Sequence, residues 1–114
     1  MRYLLLIYNN DTTKAEFATA EGNAAIGAAH GAIVAELTAS GEFLELNELD
    51  QADAKIVRVR DGAPIVTDGP YAETKEFVGG FYLIDVEDEA RAVDIAARLA
   101  EARTSLIEVR RIGG

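Results

Sequence analysis

The sequence places its most reactive side chains in one segment and its only histidine well before that segment. Residues 67–76 read TDGPYAETKE and hold three carboxylates, a lysine, two threonines and a tyrosine. An imidazole exchanges protons near neutral pH, so His30 is the candidate general base. A carboxylate can orient such a ring or act as the acid, and Asp68 is the candidate for that role. The other candidate contacts for a polar ligand in this segment are Tyr71, Glu73 and Lys75.

Each of these residues also has a structural explanation, and the sequence leaves both interpretations open. A single histidine on an apolar helix face is explained equally by a core position with a hydrogen bond to a strand carbonyl. Asp68 favours a turn, because its side chain accepts hydrogen bonds from nearby backbone amides. Tyr71 fits the rim of a subunit contact. A mixed charge run such as residues 73–76 is usually solvated.

Arg58 is a further candidate ligand-binding residue, because Arg58 and Arg60 fall on one face of a predicted strand. Two guanidinium groups can bind a carboxylate through paired hydrogen bonds, although a solvated sheet edge explains the same pattern. No metal site is predicted, since the chain has one histidine, no cysteine and no histidine–carboxylate spacing of three or four residues. No cofactor is expected, and no glycine-rich phosphate loop is present.

The composition limits the partners of the protein. With 114 residues and 49% hydrophobic residues, the chain suits one globular domain over residues 1–114. Its 20 acidic and 11 basic residues give a net charge of -9, which repels nucleic acid and anionic membrane surfaces. The apolar opening at residues 3–8 is too short for a signal core or a membrane span. Together with the absence of cysteine, this predicts a cytoplasmic protein without nucleic-acid or membrane partners.

Hydrophobic periodicity predicts the elements that position the candidate residues. A helix over residues 21–40, ended by Gly41, places His30 on its apolar face, toward the sheet. A second helix begins at residues 87–89, where acidic side chains suit the N-terminus. The dipeptide Asp61-Gly62 predicts a two-residue hairpin turn, because both positions need a positive φ. Residues 9–16 are predicted as a polar loop, and the predicted strands are residues 3–8, 42–46, 55–60, 64–67, 77–86 and 106–112.

The order of these elements predicts an α+β fold with a split βαβ pattern, in which two helices pack on one face of an antiparallel sheet. Two helices cannot cover both faces, yet residues 3–8 and 81–84 are apolar on both. A large exposed apolar face is rare on a monomer, so we expect a second copy of the chain to cover it. A two-fold homodimer is the simplest closed assembly, and a monomer with a partly exposed apolar sheet is the alternative.

Several motifs together resemble a known family. The segment Val66–Glu76, followed by Gly79-Gly80-Phe81-Tyr82, resembles the DGPF-domain branch of the YCII-related family. The resemblance extends to Met1–Tyr8, to the hairpin Val57–Gly62 and to Ile107–Arg110, and so covers essentially the whole chain. It implies a ferredoxin-like antiparallel sheet with two helices on one face, which dimerises as an α/β barrel.

The resemblance also bears on function. Most members have no established activity, whereas some YCII-related proteins are enzymes that act on small molecules, with a His–Asp pair proposed as their site. His30, which precedes the helix-ending Gly41, is similar to the family histidine. The family aspartate lies in an Asp-Pro-aromatic motif near the second helix, which this sequence lacks; Asp68 lies instead in an Asp-Gly-Pro-Tyr motif. Members of the DGPF branch are often encoded beside extracytoplasmic-function sigma factors, which implies a regulatory link to such a factor.

The residues and the resemblance together predict a homodimeric small-molecule-binding or regulatory domain. Its pocket is expected near His30 and the loop Asp68–Glu76. The alternative is a cofactor-free enzyme that performs acid/base chemistry, an elimination or an isomerisation, with His30 as the base. A third interpretation is assembly with a protein partner through the acidic surface.

Overall fold

A computed structural model describes residues 1–69 and 75–113. The chain begins with strand β1 (Arg2–Asn9), helix α1 (Asp11–Ala18) and helix α2 (Ala20–Ser40), and continues with strands β2 (Phe43–Glu48), β3 (Lys55–Arg60), β4 (Ala63–Asp68) and β5 (Phe77–Asp85). Helix α3 (Glu89–Ala97), a short 3-10 helix (Ala100–Arg103) and strand β6 (Leu106–Arg111) follow.

Four strands form the main sheet in the order β2-β5-β1-β6, and every neighbouring pair is antiparallel. The predicted α+β class with an antiparallel sheet is therefore confirmed, and the strand order fits a ferredoxin-like arrangement. Strands β3 and β4 pair with each other in a separate two-stranded sheet. Their turn has positive φ values of 50° at Asp61 and 77° at Gly62, as the two-residue hairpin requires.

Side-chain alternation along β1 divides the sheet into a covered face and an open face. Tyr3, Leu5 and Ile7 point toward the helices and are buried. They join a core cluster with side chains of β5, α2 and α3. Leu4 and Leu6 point the other way and are half-buried. The prediction that the central strands are apolar on both faces is thus confirmed for β1.

The same division continues onto β5. Leu4 pairs with Leu83, and Leu6 pairs with Phe81, so the four side chains share the open face. All four are half-buried. The open face of the sheet therefore carries a continuous apolar patch at its centre, made of these two cross-strand pairs.

A bulge interrupts β5 beside the cavity described below. The register between β1 and β5 shifts after Ile7, so that Ile7 pairs with Gly80 and Tyr8 pairs with Val78. Gly79 is the extra residue. A Cβ atom placed on Gly79 would lie 1.8 Å from Nδ2 of Asn9, so this position needs a residue without a side chain. The predicted bulge or close backbone approach at Gly79-Gly80 is confirmed.

The polar loop predicted at residues 9–16 is wrong, because helix α1 occupies most of it. Asn10 starts the helix: its Oδ1 accepts a hydrogen bond from the Thr13 backbone N–H at 3.0 Å. The Thr13 hydroxyl in turn accepts from the Asn10 backbone N–H at 2.8 Å. This reciprocal capping satisfies two donors that would otherwise lack partners at the helix start. The helix therefore depends on its cap rather than on a continuous apolar face.

The second predicted helix is present as α3, and a break in the chain follows it. Helix α3 ends at Ala97, and Leu99 has an extended backbone with φ -71° and ψ 138°. The chain then resumes as the 3-10 helix, and this break rotates the following side chains relative to α3. As a result Glu101, although charged, is only 5% exposed.

Arg91 on α3 and Arg98, the residue after its end, fasten that helix to the neighbouring elements. The Arg91 guanidinium donates to both carboxylate oxygens of Glu42, next to β2, at 2.9 and 2.8 Å. Arg98 donates to both oxygens of Glu36 on α2 at 2.7 and 2.9 Å. Paired contacts of this kind fix orientation as well as distance. They hold α3 against α2 and so help to position the 3-10 helix that carries Glu101.

Glu42→Gln tests the ionic contact between Arg91 and Glu42, which is called the ionic anchor below. Hydrogen bonds from Arg91, and then from the Ser40 hydroxyl, lower the pKa of Glu42 to about 2 from an ordinary 4.5. Because the folded pKa is depressed, the stabilisation is present above about pH 4.5 and is lost as the pH falls toward 2. We expect Glu42→Gln to lower the free energy of unfolding by about 1 kcal/mol at pH 7. The difference from wild type should shrink between pH 5 and about 2.5, as measured by urea denaturation.

Glu45 supplies the control, because it lies on β2, is exposed and accepts a hydrogen bond from Asn47 rather than from an arginine. Glu45→Gln should leave stability nearly unchanged at both ends of the pH range. An effect of Glu42→Gln that is equally large at pH 7 and at the acid end would contradict the proposed ionic anchor.

Candidate functional site

A cavity of about 450 Å³ lies between the helices and the covered face of the sheet. This volume is in the range of sites that bind small molecules. Its apolar wall is formed by Ile7, Phe17, Ile26, Leu46, Leu49 and Phe77. Polar and charged side chains interrupt that wall, among them the half-buried His30 and the buried Glu101. The cavity therefore combines an apolar body with a few polar groups at defined positions.

A chain of three polar side chains runs from the sheet to the 3-10 helix beside this cavity. His30 Nδ1 lies 2.5 Å from the Tyr82 hydroxyl, and His30 Nε2 lies 2.9 Å from both carboxylate oxygens of Glu101. The His30 side chain is 15% exposed and that of Glu101 is 5% exposed, whereas Tyr82 is fully buried. The imidazole therefore connects a phenol in the core to a carboxylate on the cavity wall.

Three different local patterns bring these side chains together. His30 follows Ile26 by one helical turn and precedes Ile33 by another, so it shares the buried stripe of α2. Tyr82 alternates inward on β5 with Ile84, and both are fully buried. Glu101 is turned inward by the break after α3. The site thus draws one residue from a helix, one from a strand and one from a 3-10 turn.

The contacts of His30 with Tyr82 and Glu101 indicate which ring nitrogen carries the hydrogen when the imidazole is neutral. Burial, and then the negative charge of Glu101, raise the pKa of Tyr82 far above its ordinary value of 10. The phenol therefore keeps its hydrogen and can donate it to Nδ1 of a neutral His30. A neutral imidazole whose Nδ1 accepts must carry its hydrogen on Nε2, which then donates to Glu101. In this arrangement both ring nitrogens of His30 are engaged.

Asp68 lies apart from this chain. It is the last residue of β4, its side chain is 87% exposed, and its carboxylate forms an ion pair with Lys55 at 2.6 Å. The carboxylate beside His30 belongs instead to Glu101. The physical reason is the separate hairpin, which carries Asp68 on its own two-stranded sheet. A catalytic role for Asp68 stays a prediction, without His30 as its hydrogen-bond partner.

Of the other predicted ligand-binding residues, the two that the structure describes, Arg58 and Lys75, do not line the cavity. Tyr71 and Glu73 lie outside the described residues. Lys75 is exposed just before β5. Arg58 lies on one face of the hairpin, beside a second, smaller cavity of about 310 Å³ that it shares with Arg60 and Ile65. Their roles in binding a ligand stay predictions.

Two further features of the described chain bear on the kinds of site it can form. Within residues 1–69 and 75–113, no group of three or more histidine or carboxylate side chains is arranged to hold a metal ion. Across those same residues, no helix combines the length and the apolar character needed to cross a membrane. Within the described residues, the His30 cavity combines a space of ligand size with the buried carboxylate of Glu101.

Comparison with known proteins gives two similarities. The sequence matches the YCII-related domain family over residues 1–113, which is nearly the whole chain. It is also 48% identical over 52 residues to an uncharacterised protein of Rhizobium meliloti (strain 1021). That stretch makes up 46% of this chain and 42% of the relative, so the match spans less than half the length of the relative.

The tautomer of His30 can be tested directly by nitrogen-15 NMR. Because the chain contains one histidine, an untagged sample gives imidazole signals that need no assignment. We expect a protonated Nε2 and an accepting Nδ1 at pH 7. Tyr82→Phe removes the donor to Nδ1 and should lower the free energy of unfolding by about 1–3 kcal/mol. Tyr3→Phe on the covered face of β1 is the control. A wild-type spectrum with Nδ1 protonated would contradict this hydrogen-bond assignment.

Proposed function

The chain belongs to the YCII-related family, and from that premise we propose that it is a small-molecule-binding domain whose ligand occupies the cavity beside His30. One observation carries the proposal. A cavity of ligand size is lined by a buried carboxylate, Glu101, that is held in place by a hydrogen-bonded imidazole. A largely apolar wall with a few fixed polar groups is typical of sites that bind small molecules.

The hydrogen bonds of His30 favour binding over catalysis. A general base needs a lone pair that reaches the substrate proton. In the neutral ring with its hydrogen on Nε2, the Nδ1 lone pair faces the Tyr82 hydroxyl and the Nε2 hydrogen faces Glu101. The ring therefore acts as a support that orients Glu101. Glu101 in turn presents acceptor oxygens at the cavity wall.

The second candidate is a cofactor-free enzyme that performs an elimination or an isomerisation with His30 as base. The paired carboxylate favours it, because Glu101 would stabilise the imidazolium formed when His30 takes up a proton. This mechanism requires the Tyr82 hydroxyl to leave Nδ1, so that the lone pair becomes available. It therefore needs a rearrangement that binding alone does not.

A homodimer is part of the proposed function. The open face of the sheet carries the apolar patch formed by the Leu4–Leu83 and Leu6–Phe81 pairs. Burial of such a patch against a second copy would stabilise the assembly through the hydrophobic effect. The resemblance to the DGPF branch supports the same assembly, a dimeric α/β barrel, and adds a regulatory link to a sigma factor as the setting in which ligand binding would act.

The binding proposal can be tested by filling the cavity from one helix position. Gly27 lines the cavity, and a Cβ atom placed on it meets nothing within 4 Å. Gly27→Leu should therefore fold normally and occupy space that a ligand needs. A thermal-shift screen of a metabolite library should give compounds that stabilise wild type and lose at least tenfold in affinity with Gly27→Leu.

Gly31 is the matched control, because it lies one turn later on α2 and a Cβ atom there also meets nothing within 4 Å. Gly31→Leu should retain the binding of every compound. If the stabilising compounds bind Gly27→Leu as tightly as they bind Gly31→Leu and wild type, their site lies elsewhere and the proposal is refuted. Conversion of a bound compound to product, lost in His30→Gln, would favour the enzyme over the binding domain.

The dimer makes a separate prediction for the open face of the sheet. Leu6→Lys places a charge at the centre of the apolar patch, so it should convert a wild-type dimer into a folded monomer. Val93→Lys, at a 50% exposed position of α3, should remain a dimer. Analytical ultracentrifugation measures the mass, and circular dichroism checks the fold. A wild-type protein that stays monomeric at tens of micromolar would overturn the dimer.

A further inference from the structure

Glu101 has more acceptor capacity than its described neighbours use. Both of its oxygens lie 2.9 Å from the same atom, Nε2 of His30, and so share a single N–H. An ionised carboxylate offers about four lone-pair sites. In residues 1–69 and 75–113, His30 is the hydrogen-bond donor that the structure places on Glu101. The unused sites belong to a side chain that lines the cavity.

Glu101 is also a carboxyl group in a buried position, because its side chain is only 5% exposed. When the Tyr82 hydroxyl donates to Nδ1, the imidazole is the neutral tautomer and the pair carries the negative charge of the carboxylate. A buried charge of this kind is costly unless a cation or several donors approach it. The cavity is the side from which such a group can come.

The rest of the cavity wall suits a cation with an apolar body. Glu48 adds a second carboxylate to the lining, and the rings of Phe17 and Phe77 add aromatic surface. Aromatic faces attract ammonium groups as well as apolar groups. Lys14 is a cation of the same wall, and its Nζ lies 5.6 Å from the centroid of the Phe77 ring, where that attraction acts on it. With one lysine against two carboxylates, the lining keeps a net negative charge.

We propose that the cavity binds a primary amine with an apolar or aromatic body, whose ammonium group donates hydrogen bonds to Glu101. This inference rests on the proposed binding function, because it names the ligand class of the same cavity. An ammonium group has three donors, which match the unused acceptor sites of the carboxylate. It also places a positive charge beside the buried carboxylate. The overall charge of -9 would attract such a cation toward the protein.

Three probes of similar size separate the effect of charge from that of shape. The probes are 2-phenylethylamine, 2-phenylethanol and 3-phenylpropionate, which are cationic, neutral and anionic at pH 7. We expect titration calorimetry on the full chain to show the amine binding at least tenfold more tightly than the other two. Glu101→Gln should weaken the amine at least tenfold and change the alcohol less than twofold. Glu45→Gln, at an exposed strand position, should change neither.

The outcomes distinguish this inference from the binding function on which it rests. An alcohol or acid that binds as tightly as the amine, in a manner blocked by Gly27→Leu, would overturn the amine class and leave the binding cavity intact. Absence of amine binding at millimolar concentration would also overturn it. The comparison of the three probes on wild type needs no variant, so it decides the question even if Glu101→Gln does not fold. The binding function itself fails only if no library compound shows a loss of affinity specific to Gly27→Leu.

Discussion

The hydrogen-bonded chain from Tyr82 through His30 to Glu101 sets the constraint on which the site depends. It crosses the apolar layer between sheet and helices, where an unpaired polar group would cost about 1–3 kcal/mol. Each bond therefore has to be made with the right partner, and loss of one end leaves the rest of the chain unsatisfied. The chain fixes α2, β5 and the 3-10 helix relative to one another. The cavity owes its shape to that fixed arrangement.

Much of the fold could be predicted because it follows from side-chain period and turn chemistry. Strand β1 has apolar residues on both faces, α2 keeps one buried stripe and ends at Gly41 with φ 80°, and the hairpin turns at Asp61-Gly62. Helix α1 was not predicted, because its composition is polar and its start depends on the capping contacts of Asn10. Local contacts of that kind leave little trace in hydrophobic periodicity.

The site could be predicted only in part. The position of His30 follows from its place on the α2 stripe. Glu101 could not be found in that way, because in a continuous helix it would lie about half a turn from Ala92, on the solvent side. The extended backbone at Leu99 breaks the helix and brings the carboxylate inward. Asp68 was predicted as the partner of His30 from its sequence motif and its turn chemistry. Its position is set instead by the separate hairpin, which neither of these features predicts.

The charged segment at residues 67–76 also contributes a structural contact, through its last residue, Glu76. Glu76 accepts a hydrogen bond from Asn10 Nδ2 at 3.2 Å and another from the Ser105 hydroxyl at 2.6 Å. It therefore ties the start of α1 to the chain before β6. The hairpin formed by β3 and β4 lies outside the main sheet. Strands β2 and β5 are already neighbours, and among the described residues β3 and β4 pair with each other. The entropic cost of closing a loop rises slowly with its length. The β3–β4 hairpin is therefore the segment into which a fluorophore or an epitope can be inserted without disturbing His30.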